Sequence, residues 1–234
     1  MMIEVKHLKK FYGERAVVDD LSLTIKKGTV FGFLGQNGAG KTTTIKMMVG
    51  IANPDEGSIM IGGKHSSDIS MRENIGFMPE APYFYDRLTG LEFLEFCGAL
   101  FEAHKTKNEY LEILKKVGIY DARDRAINTY SKGMKQRLGF AQTMVNDPDY
   151  IFLDEPLDGL DPLGRREIKK MILELKSRGK TIFFNSHILY DTEEICDEIG
   201  VIHDGRLLYS GGVKEFCKGE PLEKRFVALV EKQQ

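Results

Sequence analysis

Gly35-Gln36-Asn37-Gly38-Ala39-Gly40-Lys41-Thr42 decides the reading of this chain. The stretch has the pattern G-x-x-x-x-G-K-[ST], with the apolar run Val30–Leu34 before it and a helical pattern after Lys41. Glycines let such a loop turn until successive backbone N–H groups converge on phosphate oxygens, and the helix start behind them adds partial positive charge. Lys41 is then placed for the β and γ phosphates of a nucleotide and the Thr42 hydroxyl for Mg²⁺, and Thr43 closes the cradle that begins at Gly35. A glycine-rich turn with an exposed lysine is the plain alternative, and the strand–loop–helix setting speaks against it.

Residues 150–153, Tyr-Ile-Phe-Leu, run into Asp154-Glu155-Pro156. Two carboxylates therefore stand at the C-terminal edge of a buried strand, the edge where open α/β sheets bind ligands. Adjacent buried carboxylates are costly unless a cation or hydrogen bonds compensate, which favours a functional role over an acidic turn. In that role Asp154 serves Mg²⁺ through its water shell, and Glu155 orients or deprotonates the water that attacks the γ phosphate. Residues 181–184 end likewise in Asn185-Ser186-His187, which brings His187 to the same edge. Taken alone, that histidine reads more readily as a satisfied structural residue. His7, His65, His104 and His203 have no such setting.

Outward from these motifs, residues 3–8 and 21–25 alternate apolar and polar, an antiparallel β layer feeding the buried strand through the turn Lys26-Lys27-Gly28. Asn53-Pro54-Asp55-Glu56-Gly57 is turn chemistry before a short strand at 59–61. Thr89-x-x-Glu92 and Thr106-x-x-Glu109 have capping-box spacing, each ahead of a helical pattern. In the first helix Glu92, Glu95 and Glu102 make a narrow polar stripe on an otherwise apolar cylinder, which predicts burial on most sides or cover by a partner. In the second, Tyr110, Leu114 and Val117 face inward and Gly118 suits the stop. A helix with inner face Ile168, Met171, Ile172 and Leu175 separates the two apolar runs, giving a βαβ unit of a parallel sheet. Residues 199–210 read as a hairpin turning at Asp204-Gly205, and Leu222, Phe226, Leu229 and Val230 have helical spacing in a tail of no legible purpose.

Bulk composition narrows the function classes. The 234 residues are 42% hydrophobic and 29% charged, the mix of a folded globular protein. A net charge of −2 offers no basic field for nucleic acid or an anionic bilayer. Residues 1–10 hold no apolar stretch of signal-peptide length, and nowhere do about 18 uncharged apolar residues run together, so the chain is expected neither to enter nor to cross a membrane by itself. Cys97, Cys196 and Cys217 lack metal-ligand or C-x-x-C spacing and read as small buried hydrophobes in a reducing cytosol.

With these motifs the sequence resembles the nucleotide-binding subunit of ATP-binding cassette (ABC) transporters, over residues 3 to 212. Tyr130-Ser131-Lys132-Gly133-Met134-Lys135-Gln136-Arg137 carries the resemblance, because it looks like the family's L-S-G-G-Q signature and stands shortly before the Asp154 strand. The resemblance implies an α/β fold: a P-loop NTPase core with a mostly parallel sheet, an N-terminal antiparallel β layer and an inserted helical lobe. Residues 1–86 and 146–212 would form the β layer and RecA-like core, 87–145 the signature lobe and 213–234 a short tail. ATP and Mg²⁺ are the implied cofactors, and ATP hydrolysis that drives transport, with export favoured, is the implied activity.

Several residue roles come with the resemblance. Tyr12 takes the place of the aromatic that stacks on adenine, a core tyrosine being the other reading. Asp161, in Gly159-Leu160-Asp161-Pro162, looks like the loop that links two nucleotide sites, and His187 like the switch that senses the γ phosphate. Ser131 and Gly133 open a helix, so a hydroxyl, free N–H groups and a positive dipole end can face an anion. In the family that anion is a γ phosphate held by a second cassette, which implies a head-to-tail dimer.

Departures from the pattern are Tyr130, Lys132 and Met134 in the signature and Glu80 in Gly76-Phe77-Met78-Pro79-Glu80. Glu80 stands where the family usually has a glutamine that touches Mg²⁺ and couples to the membrane domain, and a glutamate can also ligate magnesium. Ala81-Pro82-Tyr83-Phe84-Tyr85 is either the surface that receives a membrane subunit or ordinary packing against the helical lobe. The resemblance thus implies a transmembrane permease partner, and a cytoplasmic location peripheral to the cell membrane. A soluble cassette ATPase working in translation, DNA repair or iron–sulfur assembly is the rival, but neither a long coiled-coil or zinc insertion nor a basic extension is visible.

Overall fold

The computed structural model describes residues 2–233. Alternation makes the first strands: β1 (Met2–Tyr12) and β2 (Arg15–Lys26) pair antiparallel and bury Ile3, Val5, Leu21, Leu23 and Ile25. β2 begins well before the expected 21–25. Its pattern is hidden because the pairing shifts register around Leu8, with His7 (φ 50°) and Asp20 (φ 55°) out of the extended conformation. β3 (Val30–Leu34) is buried at every residue, as a strand covered on both faces must be. After α1 (Lys41–Met48), β4 (Glu56–Ile61) and β5 (Lys64–His65) complete a four-stranded sheet in the order β2-β1-β4-β5.

A second sheet carries the site. Its strands are β3, β6 (Ile75–Met78), β7 (Tyr150–Asp154), β8 (Thr181–Ser186), β9 (Glu198–His203) and β10 (Arg206–Gly212), in the order β10-β9-β3-β8-β7-β6. All neighbours are parallel except the β9–β10 hairpin, which turns at Asp204 and Gly205, both at positive φ. β6 has no sequence signal of its own; four residues are too few for a period, and it forms as the edge strand on β7.

Three helices stand between β6 and β7: α2 (Gly90–Leu100), α3 (Lys107–Lys116) and α4 (Lys132–Gln142). Both capping boxes form, Thr89 with Glu92 and Thr106 with Glu109, which fixes where α2 and α3 start. Tyr110, Leu114 and Val117 are buried as expected. On α2 Leu91, Phe93, Leu94 and Cys97 are buried, yet Phe96, Leu100 and Phe101 stay open, Leu100 at 69% exposure. The chain itself covers only one side of that cylinder.

β7 and β8 are joined by α5 (Pro162–Ser177), which buries Ile168, Met171, Ile172 and Leu175 against the sheet. α6 (Leu189–Ile195) follows β8, and α7 (Val213–Cys217) and α8 (Leu222–Val230) end the fold, with Leu222 and Val230 buried and Phe226 and Leu229 against a small third core. Between the two sheets Phe183 packs on Phe31, Phe33 and Phe152 at 5.7, 5.4 and 5.8 Å between ring centroids. Full burial of each such ring is worth about 1.5–3 kcal/mol, so this stack anchors the strands whose ends form the site. Among the described residues no helix is long and apolar enough to cross a membrane.

Candidate active site

β3 stops at Leu34 and the chain turns through the glycine-rich loop into α1. Gly40 sits at φ 107°, and a Cβ there would lie 2.6 Å from the Val17 carbonyl oxygen, so no other residue fits. Gly40 caps α1 without a side-chain bond, which leaves first-turn N–H groups with no acceptor inside the helix: an anion site. Lys41 is 7% exposed and donates from Nζ to the Gly35 and Gln36 carbonyls at 2.7 and 3.2 Å. Burial holds its ammonium pKa below the ordinary value, against the opposing pull of Glu155, Asp154 and Glu80.

Asp154 ends β7 and is 1% exposed. Its Oδ1 accepts from Asn185 Nδ2 at 2.8 Å and from the Thr42 hydroxyl at 3.4 Å, and among the described residues no cationic side chain pairs with it. A buried carboxylate beside a hydroxyl is a hard-oxygen donor set, which fits Mg²⁺. No cluster of three acidic, histidine or cysteine ligands exists among the described residues.

Glu155 follows at φ 52°, a left-handed backbone rare outside glycine. It is 7% exposed, and its Oε2 lies 2.9 Å from His187 Nδ1 and accepts the His187 backbone N–H at 3.3 Å. Burial pushes the Glu155 carboxyl up from the ordinary carboxylate value, and His187 and Lys41 restrain the rise. Loop amides, a buried lysine, the buried Asp154 carboxylate and a second carboxylate held by histidine thus stand together at the ends of adjacent strands.

Residues 18–158 match the ABC transporter family. The chain belongs to that family. An ABC transporter ATP-binding protein of Nostoc sp. is 48% identical over 198 residues, covering 83% of this chain, which spans only 59% of that protein's length. The lantibiotic transport ATP-binding protein SrtF of Streptococcus pyogenes is 36% identical over 225 residues and 96% of each chain. A solved ATP-binding subunit of an ABC transporter superposes with a TM-score of 0.89 at 30% identity, over 98% of this chain and 99% of that one. The fold class read from the sequence is thereby borne out.

In this ABC cassette a cleft of about 390 Å³ gathers Lys41, Thr42, Thr43, Glu80, Glu155 and His187 with the loop residues Asn37, Gly38 and Gly40. Gly35, Gln36 and Ala39 are not on its lining; Gly35 and Gln36 receive the Lys41 ammonium. Tyr12 is 56% exposed, which removes the core-tyrosine alternative, although it is not on the lining either. Ser131, Gly133 and Asp161 lie outside this cleft. Ser131 caps α4 by accepting the Met134 N–H at 3.2 Å, and Asp161 caps α5 by accepting the Gly164 N–H at 2.9 Å. The aromatic stretch after Glu80 divides: Phe84 packs on Phe93 in the core, whereas Tyr83 is 85% exposed.

The sequence reading gave no role to Val17, Asp158, Asn185 or Gln136. Asp158 was open to notice as a third carboxylate one turn after Glu155. Val17 carries no local signal, and Gln136, although it stands in the signature stretch, gives no sign there of its contact with Glu155, which tertiary packing sets.

Proposed function

We propose that the chain is the ATP-binding and ATP-hydrolysing subunit of an ABC transporter, and that it works as one of two head-to-tail cassettes beneath separate membrane subunits. The convergence of Lys41, Thr42, Glu155 and His187 on one cleft, over the buried Asp154, carries this reading. The loop amides and Lys41 bind the β and γ phosphates, and Tyr12 stacks on adenine. Thr42, Asp154 and Glu80 would hold Mg²⁺, which when bound neutralises phosphate charge. Glu155 takes the proton of the attacking water, for which a raised pKa makes it the better acceptor. His187 holds that carboxylate and senses the γ phosphate.

The dimer rests on the signature. A Cβ on Gly133 would meet nothing closer than Leu160, at 3.6 Å, so the chain's own packing does not require glycine there. An anion approaching the start of α4 from outside does, and Ser131 is exposed beside it. That anion is the γ phosphate of the second cassette, with Asp161 in the loop between the two sites. Residues 1–86 with 146–212, 87–145 and 213–234 are the working units of each copy.

An apolar surface fits the membrane partner. Tyr83, Tyr85 and Phe96 meet edge to face at 6.3 and 5.2 Å, beside the open Leu100. A permease seated there, next to the Glu80 loop, places the cassette at the cytoplasmic face of the cell membrane. The lantibiotic transport named for the streptococcal relative favours export of a peptide. MgATP binding and hydrolysis by the purified chain test the core of the proposal. Lys41→Ala is expected to abolish both, and a wild-type chain that neither binds nor hydrolyses ATP would overturn it.

A further inference from the structure

The left-handed backbone of Glu155 is held in place from three directions. Its N–H donates to the Asn185 carbonyl at 3.2 Å. Its own carbonyl oxygen accepts the Asp158 N–H at 3.2 Å and the Gln136 side-chain amide at 2.9 Å. The first two partners lie on the strand beside it and in its own turn. Gln136 comes from α4, and it is 5% exposed. Because the acceptor is a carbonyl, the contacting atom is the amide nitrogen, a donor that an ionised glutamate or a leucine cannot supply. Pinning both peptide planes of Glu155 fixes the direction in which its carboxylate leaves the backbone, and so its meeting with His187.

α4 is the helix capped by Ser131, and it also leans on the Glu80 loop, where a Cβ on Gly139 would lie 2.9 Å from Pro82. One rigid element thus joins the signature, the Glu80 loop and the backbone of Glu155. We infer that Gln136 is a positioning residue for Glu155, so that the aim of the carboxylate depends on how the signature helix is seated. The inference rests on the reading of Glu155 as the proton acceptor. Gln136 is not on the lining of the cleft; it acts through the peptide it grips.

The test is steady-state MgATP hydrolysis and equilibrium ATP binding by the full chain carrying Gln136→Leu, Gln136→Glu, Glu155→Gln, or Glu155→Gln with Gln136→Leu. Gln136→Leu is expected to lower kcat by about tenfold or more with KM for ATP within about twofold, since a small misplacement of a reacting group is felt in the chemical step. Gln136→Glu keeps the shape without the donor and is expected to match it, which separates lost aim from lost packing. In the Glu155→Gln background the added Gln136→Leu is expected to change the residual rate by less than about twofold, because residues acting as a unit are not additive. Unchanged kcat in either Gln136 single variant, a loss confined to ATP binding, or full additivity in the double variant overturns the inference. A wild-type chain without ATP binding or hydrolysis would instead overturn the reading of the site.

Discussion

The Glu155 carboxylate and the His187 imidazole stand 2.9 Å apart, and the same Oε2 also takes the His187 backbone N–H at 3.3 Å. Glu155 follows strand β7 and His187 follows its parallel neighbour β8, so adjacent strand ends bring together residues 32 positions apart. In the proposed role of Glu155 as proton acceptor, the arrangement gives it an orienting partner. Replacing His187 with alanine is expected to lower kcat for ATP by about a hundredfold or more while ATP affinity stays within a few-fold. Steady-state kinetics beside equilibrium nucleotide binding decide this, and an unchanged kcat contradicts it.

The raised Glu155 pKa sets the sign of two effects. Hydrolysis needs the carboxylate, so kcat/KM falls as pH drops through the folded pKa, and its acid limb is expected above the ordinary carboxylate value. For stability, the folded state prefers the protonated form. Its contribution is therefore full below the unfolded pKa and lost as pH rises through the folded one. Glu155→Gln imitates the protonated form and is expected to raise Tm near neutral pH. A pH–rate profile and a melting curve check the pair.

Glu155→Gln is also expected to trap an ATP-loaded dimer, and Ser131→Ala to prevent it while leaving ATP binding to the monomer nearly intact. Gel filtration with ATP and Mg²⁺ reads both. A monomer in the first variant, or lost ATP binding in the second, contradicts the shared-site arrangement.

The three cysteines should be inert in the folded chain. Burial pushes the Cys97 thiol up to about 11, Cys196 well above the ordinary thiol value and Cys217 upward. At pH 8 the thiolate fraction of Cys97 is then about one in a thousand. Thiol titration of native protein is expected to be slow until denaturant is added. The sign for stability is the same as for Glu155: the buried thiols favour the fold below the unfolded pKa, and this support is lost as pH rises through the folded values.

Phe183→Ala removes the ring around which Phe31, Phe33 and Phe152 pack. A loss of about 3–5 kcal/mol is expected by chemical denaturation, with the slope of the transition unchanged.

Local chemistry was legible in the sequence because it is written in short spacings. The loop from Gly35 to Thr42, the carboxylates Asp154 and Glu155, the two capping boxes and the Asp204-Gly205 hairpin are each fixed by residues a few positions apart. Sequence alone therefore determined the phosphate loop, the βαβ unit and the helices of the inserted lobe. Tertiary structure decided the rest. It placed Gln136 against the Glu155 carbonyl, left Phe96 and Leu100 uncovered on α2, and made β6 a strand only beside β7. Those outcomes depend on which surfaces meet when distant segments pack. Hydrophobic burial, which drives that meeting, is non-directional: its spacing marks the face an element buries, not the distant segment that covers it.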